Sequence, residues 1–362
     1  MRSLRFSIIS VSILCGVMLA CTQKTQPAGP KFKGRLLLLF GDSATGMNLF
    51  ELSAGPNDTF NYTSVTSGVF EAAASPDQTA LLYATKDEIF LRDLRTGEVK
   101  PLVKGENFCL AWSPDGKRFS YKQRDTGSIN LYAAELDGRA KLVWEDVWTA
   151  QRAANQSAAG ANVVSLGCAQ WVAPDKLIFD RFGPSQVKGG DVKPNTTTLA
   201  IVSDSVKLAD TEKRWSVEGI CKSGSAFLRS ADGQILIAKS LENPKTASST
   251  SGPCSSCRFL GFAAQSCVPF FIEDSSSTSS EIFYLNPTNW QRQRGAHVGQ
   301  PFSSTATALI NSSARLMVIG DVHGTLVLVD TESGDVTPFF AKTAGPPGGM
   351  GESPRPVVWI EK

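Results

Sequence analysis

Short apolar runs separated by turn residues recur along most of this chain. An uninterrupted apolar run at 36–40 is followed by a mixed run at 48–52, and comparable runs lie at 80–83, 118–121 and 316–319. Short runs of this kind, alternating or continuously apolar, are typical of β-strands. No long stretch of the mature chain shows the 3.6-residue period of an amphipathic helix, so the pattern predicts an all-β domain over residues 34–362.

The turns between these runs repeat. Ser-Pro-Asp occurs at 75–77 and again at 113–115, and weaker copies follow as Ala-Pro-Asp at 173–175, Ser-Ala-Asp-Gly at 230–233 and Asn-Ser-Ser at 311–313. Proline presets φ at the second turn position, aspartate caps local backbone N–H groups and glycine accepts positive φ. The two Ser-Pro-Asp turns are about 40 residues apart, which is the size of one four-stranded propeller blade.

The repeated turn resembles that of the WD40-like (PD40) repeats of the TolB-type β-propeller family. The resemblance covers most of residues 34–360, and the Ser-Pro-Asp-Gly hallmark is intact only at 113–116. It implies an all-β propeller. Counting repeats gives seven four-stranded blades that start near residues 34, 68, 106, 162, 216, 256 and 303. Six blades is the alternative, with 216–296 as one blade carrying a long insertion.

The two ends of the domain complement each other. Residues 34–52 supply what resembles the second and third strands of a blade with no first strand, and 356–360 supply an apolar strand whose Val-Trp aligns with Ala111-Trp112. We therefore predict that the C-terminal strand completes the N-terminal blade and closes the ring, which leaves no open sheet edge. The alternative is a tail without structure after 345–349.

The N-terminus carries a targeting segment. Arg2 and Arg5 precede an uncharged apolar stretch at 6–19, which is short for a membrane span. The segment ends in Met-Leu-Ala-Cys21, which resembles the lipobox of bacterial lipoproteins. We predict a signal peptide over 1–20, lipidation at Cys21 and a polar tether over 21–33. A soluble secreted protein cut near Ala20 is the alternative.

Location follows from the same resemblance. It implies an exported lipoprotein anchored to the membrane in a bacterial cell envelope, and in that family Thr22 permits sorting to an outer membrane. Two of the 36 basic residues, Arg2 and Arg5, leave with the signal peptide, so 34 remain against 34 acidic residues. The mature chain is therefore close to neutral and lacks the excess of basic residues that is typical of nucleic-acid-binding proteins.

Six cysteines remain in the predicted domain: Cys109, Cys168, Cys221, Cys254, Cys257 and Cys267. An even number in an exported protein indicates disulfides. The Cys-x-x-Cys spacing of Cys254 and Cys257 favours a local disulfide, with redox chemistry and metal binding as alternatives. Zinc lacks obvious further ligands, because the chain has only two histidines, His297 and His323. Cys109 and Cys168 each precede a tryptophan by three residues, and a disulfide between them needs Cα atoms within about 7 Å.

One motif resembles the catalytic motif of a hydrolase family. Gly41-Asp-Ser43 follows an apolar strand, as does the nucleophile block of the Gly-Asp-Ser-Leu hydrolases. That family also needs an Asp-x-x-His pair to activate the serine, and Asp321-Val-His323 has one residue too few between its members. The repeat pattern already accounts for 41–46 as a turn between two strands.

No phosphate loop, zinc-protease motif or nucleophile elbow is present in the sequence. The leading hypothesis is a non-catalytic, monomeric interaction module without a cofactor, whose partner is an envelope protein, a peptide or a glycan. The alternative is a propeller hydrolase with a divalent metal at the channel mouth, held by turn carboxylates. Trp112, Trp171 and Trp359 recur at one blade position, where we predict packing between blades rather than stacking on sugars.

Overall fold

The computed structural model describes residues 32–41, 45–55, 60–125, 128–147, 165–186, 192–202, 206–209, 215–221, 226–230, 235–238, 248–250, 257–263, 266–286, 288–289, 291–299, 301–302, 306–320, 326–339 and 354–361. Within these ranges the backbone alone is described for 146–147, 165–166, 180–186, 192–202, 206–209, 215–218, 226–230, 235–238 and 248–250. The described elements are all β-strands, as the sequence pattern predicts. Over the same residues, no helix is long and apolar enough to cross a bilayer.

The strands of the described residues form seven antiparallel sheets. The first four, in chain order, are β1 (Arg35–Phe40), β2 (Met47–Ala54) and β3 (Phe60–Val69), joined by β29 (Arg355–Ile360); β4 (Glu71–Ala74), β5 (Ala80–Ala84), β6 (Glu88–Asp93) and β7 (Val99–Lys104); β8 (Glu106–Trp112), β9 (Arg118–Asp125), β10 (Ser128–Glu135) and β11 (Ala140–Val147); and β12 (Ser165–Leu166), β13 (Gln170–Ala173), β14 (Lys176–Gln186), β15 (Val192–Val202) and β16 (Val206–Ala209).

Three further sheets complete the set. They are β17 (Trp215–Ile220), β18 (Ala226–Ser230), β19 (Ile235–Ala238) and β20 (Ser248–Thr250); β21 (Arg258–Phe262), β22 (Pro269–Ser276), β23 (Ser279–Leu285) and β24 (Arg292–Val298); and β25 (Thr307–Ile310), β26 (Leu316–Gly320), β27 (Leu326–Asp330) and β28 (Val336–Pro338). The described strands between residues 216 and 296 thus belong to two sheets rather than one. In the fourth sheet β12 and β13 both pair with β14, as one strand interrupted at 167–169.

One edge strand of each sheet lies next to the corresponding strand of the next sheet. These seven strands, called the inner strands below, are β29, β4, β8, β13, β17, β21 and β25. Each inner strand contacts the next one in the order β29, β4, β8, β13, β17, β21 and β25, and β25 in turn contacts β29.

The hydrophobic core lies between neighbouring sheets. Successive residues of a strand point to opposite faces of its sheet. In β1, Leu36 and Leu38 accordingly pack against the seventh sheet, and Leu37 and Leu39 pack against the second. Both faces of β1 are buried, which explains why its sequence is a continuous apolar run instead of an alternating one.

The Ser-Pro-Asp turns join the inner strand to the second strand of a sheet. In the second and third sheets the serine hydroxyl donates to the aspartate (Ser75 Oγ to Asp77 Oδ1, 2.6 Å; Ser113 Oγ to Asp115 Oδ1, 2.7 Å). Asn311 takes the place of the serine in the seventh sheet and accepts from the N–H of Leu316.

One weaker copy of this turn, at 230–233, falls almost entirely outside the described residues. The described strands on either side of it are β18 and β19, which pair with each other. The strand β17 precedes both and pairs with β18. The inner strand of this sheet is therefore β17.

The pairing of β29 with β1 brings the two ends of the domain together. Leu36 lies opposite Trp359, and Leu37 lies opposite Val358. The indole N–H of Trp359 donates to the carbonyl oxygen of Lys33, 2.9 Å away. At Gly34 (φ +98°) a side chain would collide with the carbonyl oxygen of Ile360, so this approach requires glycine.

Candidate functional site: the space between the inner strands

Within the described part of the chain, three cavities lie along the inner strands. The largest, about 530 Å³, is lined by residues of the first, second, sixth and seventh sheets. The other two have volumes of about 380 Å³ and 360 Å³ and lie against the fourth to sixth and the third to fifth sheets. Phe262 lines the first two cavities, and Gln170 and Ile220 line the last two, so the three adjoin.

The largest cavity has a polar rim and an apolar wall. Ser75, Asp77 and Gln78 form the rim on the second sheet, and Asn311 and Ser312 form it on the seventh. Apolar wall residues of the same cavity are Phe262, Leu309, Val357 and Val358. An apolar wall with a few convergent polar groups is the common composition of a binding site.

Glu361 connects the rim across two sheets. Its Oε2 atom accepts from both the backbone N–H and the hydroxyl of Ser312. The residue directly after β29 is therefore bound to the turn of the seventh sheet.

The turn aspartates are already engaged in their own turns. Asp77 accepts from the hydroxyl of Ser75 and from the N–H of Thr79, and the hydroxyl of Ser75 holds the pKa of the Asp77 carboxyl below its usual value. Ser113 lowers the pKa of Asp115 in the same way. These contacts match the capping role that the sequence predicts. The described residues contain no group of three or more His, Cys, Asp or Glu side chains placed to hold a metal ion.

The recurring tryptophans join neighbouring sheets. Trp112 donates through Nε1 to the carbonyl oxygen of Ala73 (2.8 Å), and Trp171 donates to that of Ala111 (3.2 Å). In both pairs the acceptor belongs to the inner strand of the preceding sheet. Trp171 and Trp359 are only 5% and 4% exposed. These contacts and this burial agree with packing between blades.

Two disulfides cross from one sheet to the next. Cys109 in β8 is bonded to Cys168, which lies in the interruption between β12 and β13, with Cα atoms 5.1 Å apart. Cys221, which follows β17, is bonded to Cys267 in the turn before β22, with Cα atoms 5.5 Å apart. The first joins the third and fourth sheets and the second joins the fifth and sixth. Cys257 is also disulfide-bonded.

A partly buried carboxylate spans the boundary between the second and third sheets. Glu71, the first residue of β4, accepts from the backbone N–H of Cys109 (2.5 Å, Oε2) and of Leu110 (2.9 Å, Oε1). Burial raises the pKa of the Glu71 carboxyl, and the two N–H donors act in the opposite direction. The sequence analysis missed this residue. Its only signal is a charged residue at the start of the otherwise apolar strand 71–74.

Several residues named from the sequence lie outside the described ranges. They are Cys21, Ser43, Cys254, Asp321 and His323. The lipidation prediction, the Cys254–Cys257 pairing and the comparison with the Gly-Asp-Ser-Leu hydrolases therefore stay predictions.

Comparison by sequence finds little. No protein-family model matches the chain, and no curated protein matches it.

Comparison by structure finds many solved structures that resemble this chain. An acylaminoacyl peptidase from Pyrococcus horikoshii matches with a TM-score of 0.55 and 10% identity, covering 86% of this chain and 51% of its own. A protein from Bacteroides uniformis, provisionally named a 6-phosphogluconolactonase, matches with a TM-score of 0.52 and 12% identity, covering 84% and 95%. TolB from Acinetobacter baumannii matches with a TM-score of 0.46 and 15% identity, covering 93% and 69%.

The first two of these matches bear on the fold alone. This chain spans about half the length of the peptidase, and at 10–12% identity a shared fold carries no shared activity. The sheets of this chain have four antiparallel strands each, with β12 and β13 counted as one, and the inner strand of each sheet contacts that of the next. The chain therefore has an all-β fold of the propeller type.

Proposed function

We propose that the chain is a seven-bladed propeller, closed by β29, that acts as a non-catalytic interaction module in the cell envelope. The closed arrangement is supported by the circuit of contacts among the seven inner strands and by the pairing of β29 with β1. The disulfides between sheets agree with an exported protein.

The observation that carries the interaction role is the largest cavity, where a polar rim from two sheets surrounds an apolar wall. Polar side chains of the turns, such as the amide of Gln78, can donate to or accept from a partner, and Phe262 and Leu309 offer apolar surface in the same cavity. We favour a protein or peptide over a glycan, because the three recurring tryptophans each donate their indole N–H to a backbone carbonyl oxygen, and two of them, Trp171 and Trp359, are buried between sheets. The turn aspartates that a metal would need are held by serine hydroxyls.

Site-specific photocrosslinking in living cells tests this role. A photoreactive residue at Gln78 or Ser312 on the rim should give one discrete crosslinked species, identified by mass spectrometry as the same partner from both positions. Leu142 on β11 is the matched control, since it is 46% exposed and lies on an outer strand. A species formed only from Leu142 would move the interaction to the outer surface and contradict a role for the cavity. Metal-dependent hydrolysis by the purified protein, lost with a chelator, would contradict the non-catalytic assignment.

The membrane anchor is a second part of the proposal. We expect Cys21→Ser to abolish incorporation of labelled palmitate and to move the protein from the membrane fraction to the soluble fraction, because lipidation requires that thiol. Cys15→Ser is the control and should leave both unchanged. Membrane association of Cys21→Ser equal to that of the unmodified chain would show that another feature holds the protein there.

A further inference from the structure

Two backbone N–H groups in β8 point away from the ladder of their own sheet. The pairing of β8 with β9 shifts register, so that Phe108 lies opposite Lys122 and Ala111 lies opposite Ser120. Cys109 and Leu110 fall inside this bulge, and Cys109 has a φ of +58°. A bulge re-aims backbone groups, and successive N–H groups around a left-handed residue form a concave site for anions.

A carboxylate fills this concave site. The two oxygens of Glu71 each accept from one of the N–H groups, at 2.5 Å and 2.9 Å. This is a two-point contact, in which the carboxylate meets two donors at the spacing of its oxygens, and hydrogen bonds to charged acceptors are the stronger kind. Positive charge lies nearby, since Lys122 and Arg355 both stabilise the ionised form of Glu71 electrostatically.

The site belongs to the third sheet, whereas its occupant belongs to the second. The conformation of Cys109 is tied to the fourth sheet through the disulfide with Cys168. The two donors are therefore held in place independently of Glu71, which reaches them from another sheet.

We propose that the N–H groups of Cys109 and Leu110 form a carboxylate-binding site next to the cavity that Leu110 lines, and that Glu71 occupies this site in the unmodified chain. A small carboxylate such as formate or acetate, or the terminal carboxylate of a peptide, fits the same two donors. This inference does not depend on the proposed interaction role.

Thermal unfolding of the full chain with Glu71→Ala tests the site. The variant should melt below the unmodified protein. Acetate or formate should raise the melting temperature of the variant steadily as the concentration of the carboxylate increases above its dissociation constant. Chloride at equal ionic strength and neutral acetamide should not raise it. Acetate should not raise the melting temperature of the unmodified protein beyond the effect of chloride, since Glu71 fills the site.

Glu106→Ala is the matched control. Glu106 lies on the same strand, β8, and its carboxylate forms an exposed ion pair with Arg124. The variant removes the same charge without opening the site, so carboxylates should have no specific effect on it. A recovery equal to that of Glu71→Ala, or no advantage of acetate over chloride in Glu71→Ala, would overturn the proposal.

The variant Glu71→Gln tests the same proposal if the alanine variant does not fold. Its amide has one acceptor oxygen where the carboxylate has two, and a donor NH2 group takes the place of the second oxygen, so acetate should compete for the site. The backbone amide resonances of Cys109 and Leu110 should move saturably during an acetate titration, and resonances that stay fixed would refute the site. Tetra-alanine with a free C-terminus should move them and its C-terminal amide should not; equal shifts with both peptides would argue against carboxylate recognition.

Discussion

Deleting residues 353–362 should abolish cooperative thermal unfolding of the domain. The deletion removes β29, and with it the buried side chains of Val358 and Trp359 and the pairing that covers one edge of β1. Replacing a buried tryptophan by alanine alone costs about 3–5 kcal/mol, and a typical domain is stable by only about 5–15 kcal/mol. Loss of the whole strand should therefore exceed what the remaining sheets can offset. Circular dichroism and calorimetry would measure it.

Graded variants and a complementation experiment serve as controls. Trp359→Phe keeps a ring in the core but loses the hydrogen bond to Lys33, so we expect a loss of about 1 kcal/mol. A synthetic peptide of residues 353–362, added to the truncated chain, should restore a cooperative transition in proportion to its concentration. An unchanged melting temperature after truncation would show that β29 does not complete the domain.

Removing either inter-sheet disulfide should also cause a large loss in the free energy of unfolding. The bonds close loops with sequence separations of 59 and 46 residues. From the entropy of loop closure, each contributes about 4 kcal/mol. We expect the double variant Cys109→Ala/Cys168→Ala, and likewise Cys221→Ala/Cys267→Ala, to lose this amount in urea unfolding. The dependence on urea should become steeper, because the unfolded chain without the cross-link is less compact.

The pair Cys254 and Cys257 offers a matched comparison on the same chain. If they pair as their spacing predicts, the loop is only a few residues long, and Cys254→Ala/Cys257→Ala should cost about 2 kcal/mol. Equal losses for the long and short loops would contradict loop closure as the source of the stability. Non-reducing peptide mapping verifies the pairings before the measurement.

Much of the strand layout follows from local sequence. The runs at 36–40, 80–83 and 316–319 all become buried strands, because a strand between two sheets must be apolar on both faces and leaves an unmistakable pattern. The alignment of Trp359 with Trp112 placed the C-terminal strand beside β1, since both tryptophans occupy the same position in an inner strand.

Features that depend on contacts between distant segments could not be predicted in this way. Neither Cys221 nor Cys267 belongs to a motif that indicates its partner, and disulfide connectivity does not follow from sequence. The two residues are bonded because the end of β17 lies next to the turn before β22. The site at Glu71 depends on a register shift in β8, and no residue in that strand marks the shift, since Cys109 adopts a positive φ that usually favours glycine.

The pairing of β29 with β1 also sets an order of events when the chain is made. Synthesis runs from the N-terminus, so β1 emerges more than 300 residues before the strand that Leu36 pairs with. During this interval β1 presents an unpaired and strongly apolar edge, the kind of surface that associates with other chains. The sheet whose first strands are synthesised earliest is therefore the last to be completed. Export in an extended form, with folding delayed until the final residues arrive, would protect that edge.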